Sequence, residues 1–148
     1  MNTYGVGHPY FRSCFKTLNI SHLNVLDTTL DRNNPQPVFV ALIDDEIDLA
    51  YLFKDALSQI DGLMVFNFSD SSLALEHFQS NHMNYNVVIT DYRMPGMTGM
   101  TGIELLEKIK AINPAVTRIL MSVFEVNEGL FQECNCVDKF FCKNQYRW

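Results

Sequence analysis

The chain has 148 residues, an apolar share of 47% and a formal charge of −6. That length suits one domain with residues to spare, and the apolar share is that of a globular protein able to bury a core. The acidic balance disfavours direct binding to nucleic acid, no run approaches the roughly 18 apolar residues of a membrane span, and the N-terminus lacks the basic segment and apolar core of a secretory signal.

Residues 1–37 read as an extension to the domain that follows. Tyr10, Phe11, Cys14, Phe15 and Leu18 fall at the spacing of a short amphipathic helix. Asn33-Asn34-Pro35-Gln36-Pro37 reads as a linker, because its prolines disfavour helix and its polar residues bury nothing. Asn19-Ile20-Ser21 matches a glycosylation sequon, with nothing else in the chain pointing to secretion. Cys14, Cys134, Cys136 and Cys142 are scattered unlike a disulfide framework, and they lack the nearby histidines of a zinc site. They read as four reduced thiols of a cytoplasmic protein.

From residue 38 onward, apolar runs alternate with helical patterns. Val38-Phe39-Val40-Ala41-Leu42-Ile43 has the continuous apolar character of a strand buried on both faces. It ends in three acids, Asp44-Asp45-Glu46, and a helix is expected over 47–59, with Ala50, Phe53, Leu57 and Ile60 on one stripe. Acids at a helix start are ordinary N-cap chemistry, which accounts for one or two of these better than for three in a row. Residues 63–68 form a further strand, and Ser69-Asp70-Ser71 caps a helix to about residue 80, with Leu73, Leu75 and Phe78 apolar. Val87-Val88-Ile89 is a strand rich in β-branched residues, and Asp91 stands where it stops. Pro95, Gly96, Gly99 and Gly102 mark a loop, and 103–110 space their apolar residues as a helix does. Asn113-Pro114 ends that helix. Residues 116–121 form a strand with Ser122 at its end, 126–133 a short helix weakened by Gly129, and Phe140-Phe141-Cys142 a last strand with Lys143 at its end.

The alternation implies an α/β fold. It is a flavodoxin-like, doubly wound parallel sheet of five strands in the order 2-1-3-4-5. Strands one and three are then neighbours at the switch point, and their carboxyl ends carry Asp44, Asp45 and Asp91. Strands four and five deliver Ser122 and Lys143 to the same edge. In an open α/β sheet that edge is where ligands bind. Three clustered carboxylates repel one another unless a cation joins them. Mg2+ suits such oxygen donors and retains waters.

This constellation resembles the receiver domain of two-component response regulators. The resemblance runs from about Val38 to Asn144. Asp44-Asp45 matches the family's acidic pair after the first strand. Asp91, Met94, Pro95, Met97 and Gly99 match its aspartate followed by x-x-Met-Pro-x-Met-x-Gly, and Gly102, Glu104 and Leu105 match its Gly-x-Glu-Leu. Ser122 and Lys143 match its strand-end hydroxyl and lysine. The resemblance implies Mg2+-dependent transfer of a phosphoryl group from a sensor histidine kinase, or a phosphotransfer protein, onto Asp91. Asp45 then binds the metal directly, Asp44 through water and Asp91 through one oxygen, and the backbone carbonyl of Arg93 completes the protein ligands. Lys143 pairs with Asp91 and then with a phosphoryl oxygen, and Ser122 donates to another. Movement of Ser122, with inward rotation of the aromatic residue at Phe140, is the implied switch. Its readout is contact with a downstream protein, with no direct part for nucleic acid or membrane. Lacking a hydroxyl, Phe140 reads equally well as a packed strand residue.

Several departures bear on the site. Met97-Thr98-Gly99 is followed by Met100-Thr101-Gly102, a tandem copy that lengthens the loop. Loops tolerate such insertions at small cost. Val123 follows Ser122 where a smaller residue is usual, and Asn144 follows Lys143 in place of proline. The fifth helix is expected to be missing or very short. The segment around Tyr10 to Leu18 is a candidate to cover the sheet face so exposed. These departures leave two alternatives to a phosphorylated, non-enzymatic receiver. One is a receiver-like interaction module that is never phosphorylated. The other is a Mg2+-dependent phosphohydrolase, disfavoured because Asp44 and Asp45 are adjacent and the best nucleophile lies on the third strand.

Overall fold

The computed structural model describes residues 36–92, 100–122 and 135–142. Five parallel strands are ordered β2-β1-β3-β4-β5: β1 (Val38–Ile43), β2 (Leu63–Phe68), β3 (Val87–Asp91), β4 (Thr117–Ser122) and β5 (Lys139–Cys142). Helix α1 (Ile47–Ser58) joins β1 to β2. Helix α2 (Ser71–Asn81) and a short 3-10 turn over His82–Asn84 join β2 to β3, and α3 (Gly102–Ile112) joins β3 to β4. The expected fold class and strand order are those observed. The helical readings over 10–18 and 126–133, the short fifth helix and Asn144 lie outside the described residues.

The sheet separates two apolar layers. Val38, Val40 and Leu42 of β1 point to one side, with Leu63, Val65, Val87, Ile89, Ile119 and Met121, and α1 lays Phe53 and Leu57 on them. Ala41 and Ile43 point to the other side, with Val88, Val116 and Leu120, and α2 and α3 cover them with Ala74, Phe78, Leu105, Leu106 and Ile109. A strand with helices on both faces must be apolar at successive positions, which is why β1 and β3 read as unbroken apolar runs. Edge strand β2 alternates instead: Leu63 and Val65 are buried while Met64 and Phe66 are exposed.

Local chemistry sets the element ends. Asp70 caps α2, its Oδ1 accepting from the N–H groups of Ser72 and Leu73 at 2.8 and 3.1 Å. Thr101 and Glu104 form a reciprocal capping box on α3. Gly62 has φ +85°, a left-handed turn residue that lets its carbonyl accept from Val38 N–H at 2.7 Å. Asn86 ties three strands: its Oδ1 accepts from Phe39 N–H, its N–H donates to Phe39 O and its carbonyl accepts from Thr117 N–H.

Four details differ from the sequence reading. Gly102 is the first residue of α3, not a loop residue. On α2, Leu73 is 61% exposed and Ala74 takes the buried position, because Ser71, Ala74 and Phe78 form the stripe that meets the sheet. Glu46 occupies the N-cap of α1 without a side-chain cap bond, so capping does not account for this acid. Cys136 is in a disulfide, against the expectation of four thiols. Spacing along a chain does not reveal which sulfurs the fold brings together.

Candidate functional site

The carboxyl ends of β1 and β3 lie side by side, since Ile43 pairs with Thr90 in the register. Asp44 and Asp45 follow β1 directly, and Asp91 is the last residue of β3. Each offers a carboxylate oxygen within 4.8 Å of the other two. Asp44 is fully buried, Asp91 is 4% exposed and Asp45 is half-buried. Asp45 is thus the most exposed residue of the three, although its Oδ1 is itself buried.

Backbone amides fix the two buried acids. Asp44 Oδ1 accepts from Glu46 N–H at 3.0 Å, and Asp44 N–H donates to Phe68 O at 3.0 Å, tying the turn after β1 to the end of β2. Asp91 Oδ1 accepts from Tyr92 N–H at 3.0 Å, and that N–H is shared with Met121 O at 2.7 Å. Thr90, wholly buried, donates its hydroxyl to Asp91 O at 3.2 Å. Gly102 N–H donates to Tyr92 O at 3.1 Å, drawing the start of α3 against the end of β3.

Two unit charges 4.8 Å apart at an effective dielectric near 20 repel by about 3.5 kcal/mol. Three clustered carboxylates impose that repulsion pairwise, and a hard divalent cation relieves it. Oxygen-only donors at this density suit Mg2+ or Ca2+ over softer ions. The donor set thus fits the metal implied by the sequence.

Ser122 ends β4, 3% exposed, one step beyond Met121, which pairs with Asp91. It pairs with Cys142, the residue before Lys143 in the chain. Phe140 pairs with Leu120 and is half-buried against the layer covered by α2 and α3. Asp44, Asp45, Asp91 and Ser122 therefore share the carboxyl edge of the sheet, while Phe140 lies further back along β5. Arg93 and Lys143 lie outside the described residues. Thr90, Tyr92 and Gly102 hold Asp91 without having been singled out for that role. They do so through the Thr90 hydroxyl and the Tyr92 and Gly102 amides, and a sequence shows no amide direction.

The family model described as the response regulator receiver domain matches residues 40–136. Two curated relatives align over 83 residues, 56% of this chain. The C4-dicarboxylate transport transcriptional regulatory protein DctD of Rhizobium meliloti (strain 1021) is 35% identical over 17% of its own length. The transcriptional regulatory protein MalR of Bacillus subtilis (strain 168) is 32% identical over 34% of its length. The match thus spans well under two thirds of either relative. Among solved structures, a response regulator receiver domain protein from Clostridium thermocellum is 28% identical with a TM-score of 0.62, covering 72% of this chain and 82% of that one.

Proposed function

The chain belongs to the response regulator receiver domain family of two-component systems, and from that premise we propose that it accepts a phosphoryl group on Asp91 from a phosphohistidine of a sensor kinase or phosphotransfer protein. The observation that carries this is the approach of Asp44, Asp45 and Asp91 within 4.8 Å at the carboxyl edge of the sheet. Receiver domains are signalling modules, and this one relays its state by contact with a downstream protein. Its charge of −6 favours a protein partner over nucleic acid.

In this reading an Asp91 carboxylate oxygen attacks phosphorus, the P–N bond to the histidine breaks, and the product is an acyl phosphate. Asp44, Asp45, Asp91 and the carbonyl of Arg93 would hold Mg2+, which offsets charge developing on the phosphoryl oxygens. Tyr92 N–H holds one Asp91 oxygen and so orients the carboxylate. Ser122 donates its hydroxyl to a phosphoryl oxygen, and Lys143 pairs with another. Phe140, packed beside Leu120, follows Ser122 as the switch. Residues 38–148 make up the receiver and 1–37 a separate extension. The location is cytoplasmic, where kinases draw on ATP; among the described residues no helix is long and apolar enough to cross a membrane.

Acetyl phosphate with Mg2+, followed by intact mass measurement, tests the acceptor. One phosphoryl group is expected on the wild type and none on Asp91→Asn. Undiminished labelling of Asp91→Asn overturns the assignment. An unlabelled wild type points to the interaction module, and steady release of phosphate from an ester points to the hydrolase.

A further inference from the structure

Two consecutive Met-Thr-Gly triplets, 97–99 and 100–102, follow Asp91 in the chain, and the second ends on the first residue of α3. By the spacing of the family motif, Gly99 is the glycine that follows the phosphoacceptor. The structure puts Gly102 against it. Thr101 is the N-cap of α3: its Oγ1 accepts from Glu104 N–H at 3.3 Å, and Glu104 Oε2 accepts from Thr101 N–H at 3.2 Å. That reciprocal pair needs Glu three residues after Thr. Thr101 has it, whereas Thr98 has Thr101 at that place. Gly102 is therefore set at the first helical position by chemistry that the first triplet lacks.

At that position a side chain does not fit. A Cβ on Gly102 would lie 2.1 Å from Asp91 O, 3.0 Å from Asp91 C and 3.0 Å from Leu120 Cδ1. The first two obstacles are the backbone of Asp91 itself, which has no rotamer by which to yield. Gly102 is helical, so the demand for glycine is one of space and not of dihedral freedom. The residue also ends a short chain of bonds on the carboxylate: Gly102 N–H to Tyr92 O, and Tyr92 N–H to Asp91 Oδ1. Relief of the clash must move either the start of α3 or the end of β3, and β3 is locked between β1 and β4.

We propose that Gly102 is a positioning residue for Asp91, and that the second Met-Thr-Gly triplet supplies the working Thr-Gly pair while the first is spare length; this rests on Asp91 being the phosphoacceptor. Misplacement of a reacting group by about 1 Å costs on the order of a hundredfold in rate, so even a fraction of the displacement that a Cβ forces is measurable.

The test compares the full chain with Gly102→Ala, Gly99→Ala, Thr101→Ala and Thr98→Ala. The readouts are the acetyl phosphate labelling rate of the folded fraction at saturating Mg2+, and Mg2+ affinity by titration. Gly102→Ala is expected to slow labelling by about tenfold or more and to weaken Mg2+ binding, with Gly99→Ala close to wild type on both. A Gly102→Ala variant that only melts earlier, labelling at the wild-type rate while folded, overturns the positioning role. Equal losses in the two glycine variants overturn the choice of triplet. Should Gly102→Ala not fold, the threonine pair decides: Thr101→Ala slows labelling and Thr98→Ala does not, and any other order overturns the proposal. If the wild type is not labelled, the phosphoacceptor reading fails by itself. Mg2+ affinity across the same variants then still decides which triplet holds Asp91.

Discussion

Arg118 lies at the start of β4 with its side chain 6% exposed, and no part of the site reading called for it. Its guanidinium donates to the carbonyls of Cys136, Pro114 and Val116 at 2.8, 3.1 and 2.9 Å, and to Asp138 Oδ1 at 3.2 Å. Asp138 Oδ2 in turn accepts from Arg118 N–H at 2.8 Å. These bonds fasten the entry to β5 onto β4. Arg118→Met is expected to lower stability by about 3 kcal/mol, since it leaves carbonyls without their buried donor. Asp138→Asn is expected to cost only about 1 kcal/mol, because Asp138 is 42% exposed and solvent screens it. Urea unfolding measures both, and a larger loss for Asp138→Asn contradicts the account. Tyr85 offers a pH-dependent case. Burial raises its phenol above the usual 10.0, and its hydroxyl meets His77 Nε2 at 2.8 Å. A raised folded value means that folding favours the protonated phenol. That contribution is complete below pH 10.0 and is lost as pH rises through the raised value. The urea midpoint is therefore expected to fall at strongly alkaline pH in wild type, and to fall less in Tyr85→Phe.

Helix α1 shows what an element adds to its residues. Its stripe of Ala50, Phe53 and Leu57 packs on the sheet as the periodicity foretold. Its exposed flank carries Ile47 and Tyr51, one turn apart and 57% and 63% exposed, with Ile47 directly following Asp44-Asp45-Glu46 in the chain. A small donor such as acetyl phosphate reaches Asp91 without touching this side. If the donor is a phosphohistidine protein, as proposed, and docks over the start of α1, it meets both residues. Ile47→Glu and Tyr51→Glu are expected to leave acetyl phosphate labelling unchanged and to slow transfer from a phosphohistidine protein severalfold, a large apolar side chain at an interface centre counting for over 1 kcal/mol. Equal slowing with both donors would mean damage to the site instead. Within α3 the same separation of roles holds: Leu105, Leu106 and Ile109 are at most 1% exposed, and Leu106→Ala is expected to cost 2–5 kcal/mol.

Across the whole molecule the two faces of the sheet are unequally served. Among the described residues α2 and α3 cover one face, and α1 is the helix on the other. Yet Ile119 and Met121 of β4, on the α1 face and two strands along from β1, are only 1% and 2% exposed. At roughly 25 cal/mol per Å², uncovering a few hundred Å² there forgoes several kcal/mol, a large part of a small domain's stability. Deleting residues 1–36 is expected to lower the unfolding free energy measured in urea by that amount, with a lower midpoint, or to drive association into dimers. An unchanged midpoint in a monomeric truncated chain excludes a covering role for this segment.

Strand order and the edge that bears the acids were legible from residues alone. Unbroken apolar runs of six or so residues, each closed by a polar group and followed by a helical pattern, permit few chain paths. Asp44, Asp45, Asp91 and Ser122 were legible for the same reason, as each stands where a run stops. Three things were settled only in three dimensions. The disulfide at Cys136 depends on which segments meet. The buried Arg118 depends on carbonyls contributed by three separate residues. The close approach of Gly102 to Asp91 O, which leaves no room for a Cβ, depends on how the start of α3 packs against the end of β3. Periodicity along a chain records which face a residue takes, whereas spacing between backbones comes only from packing.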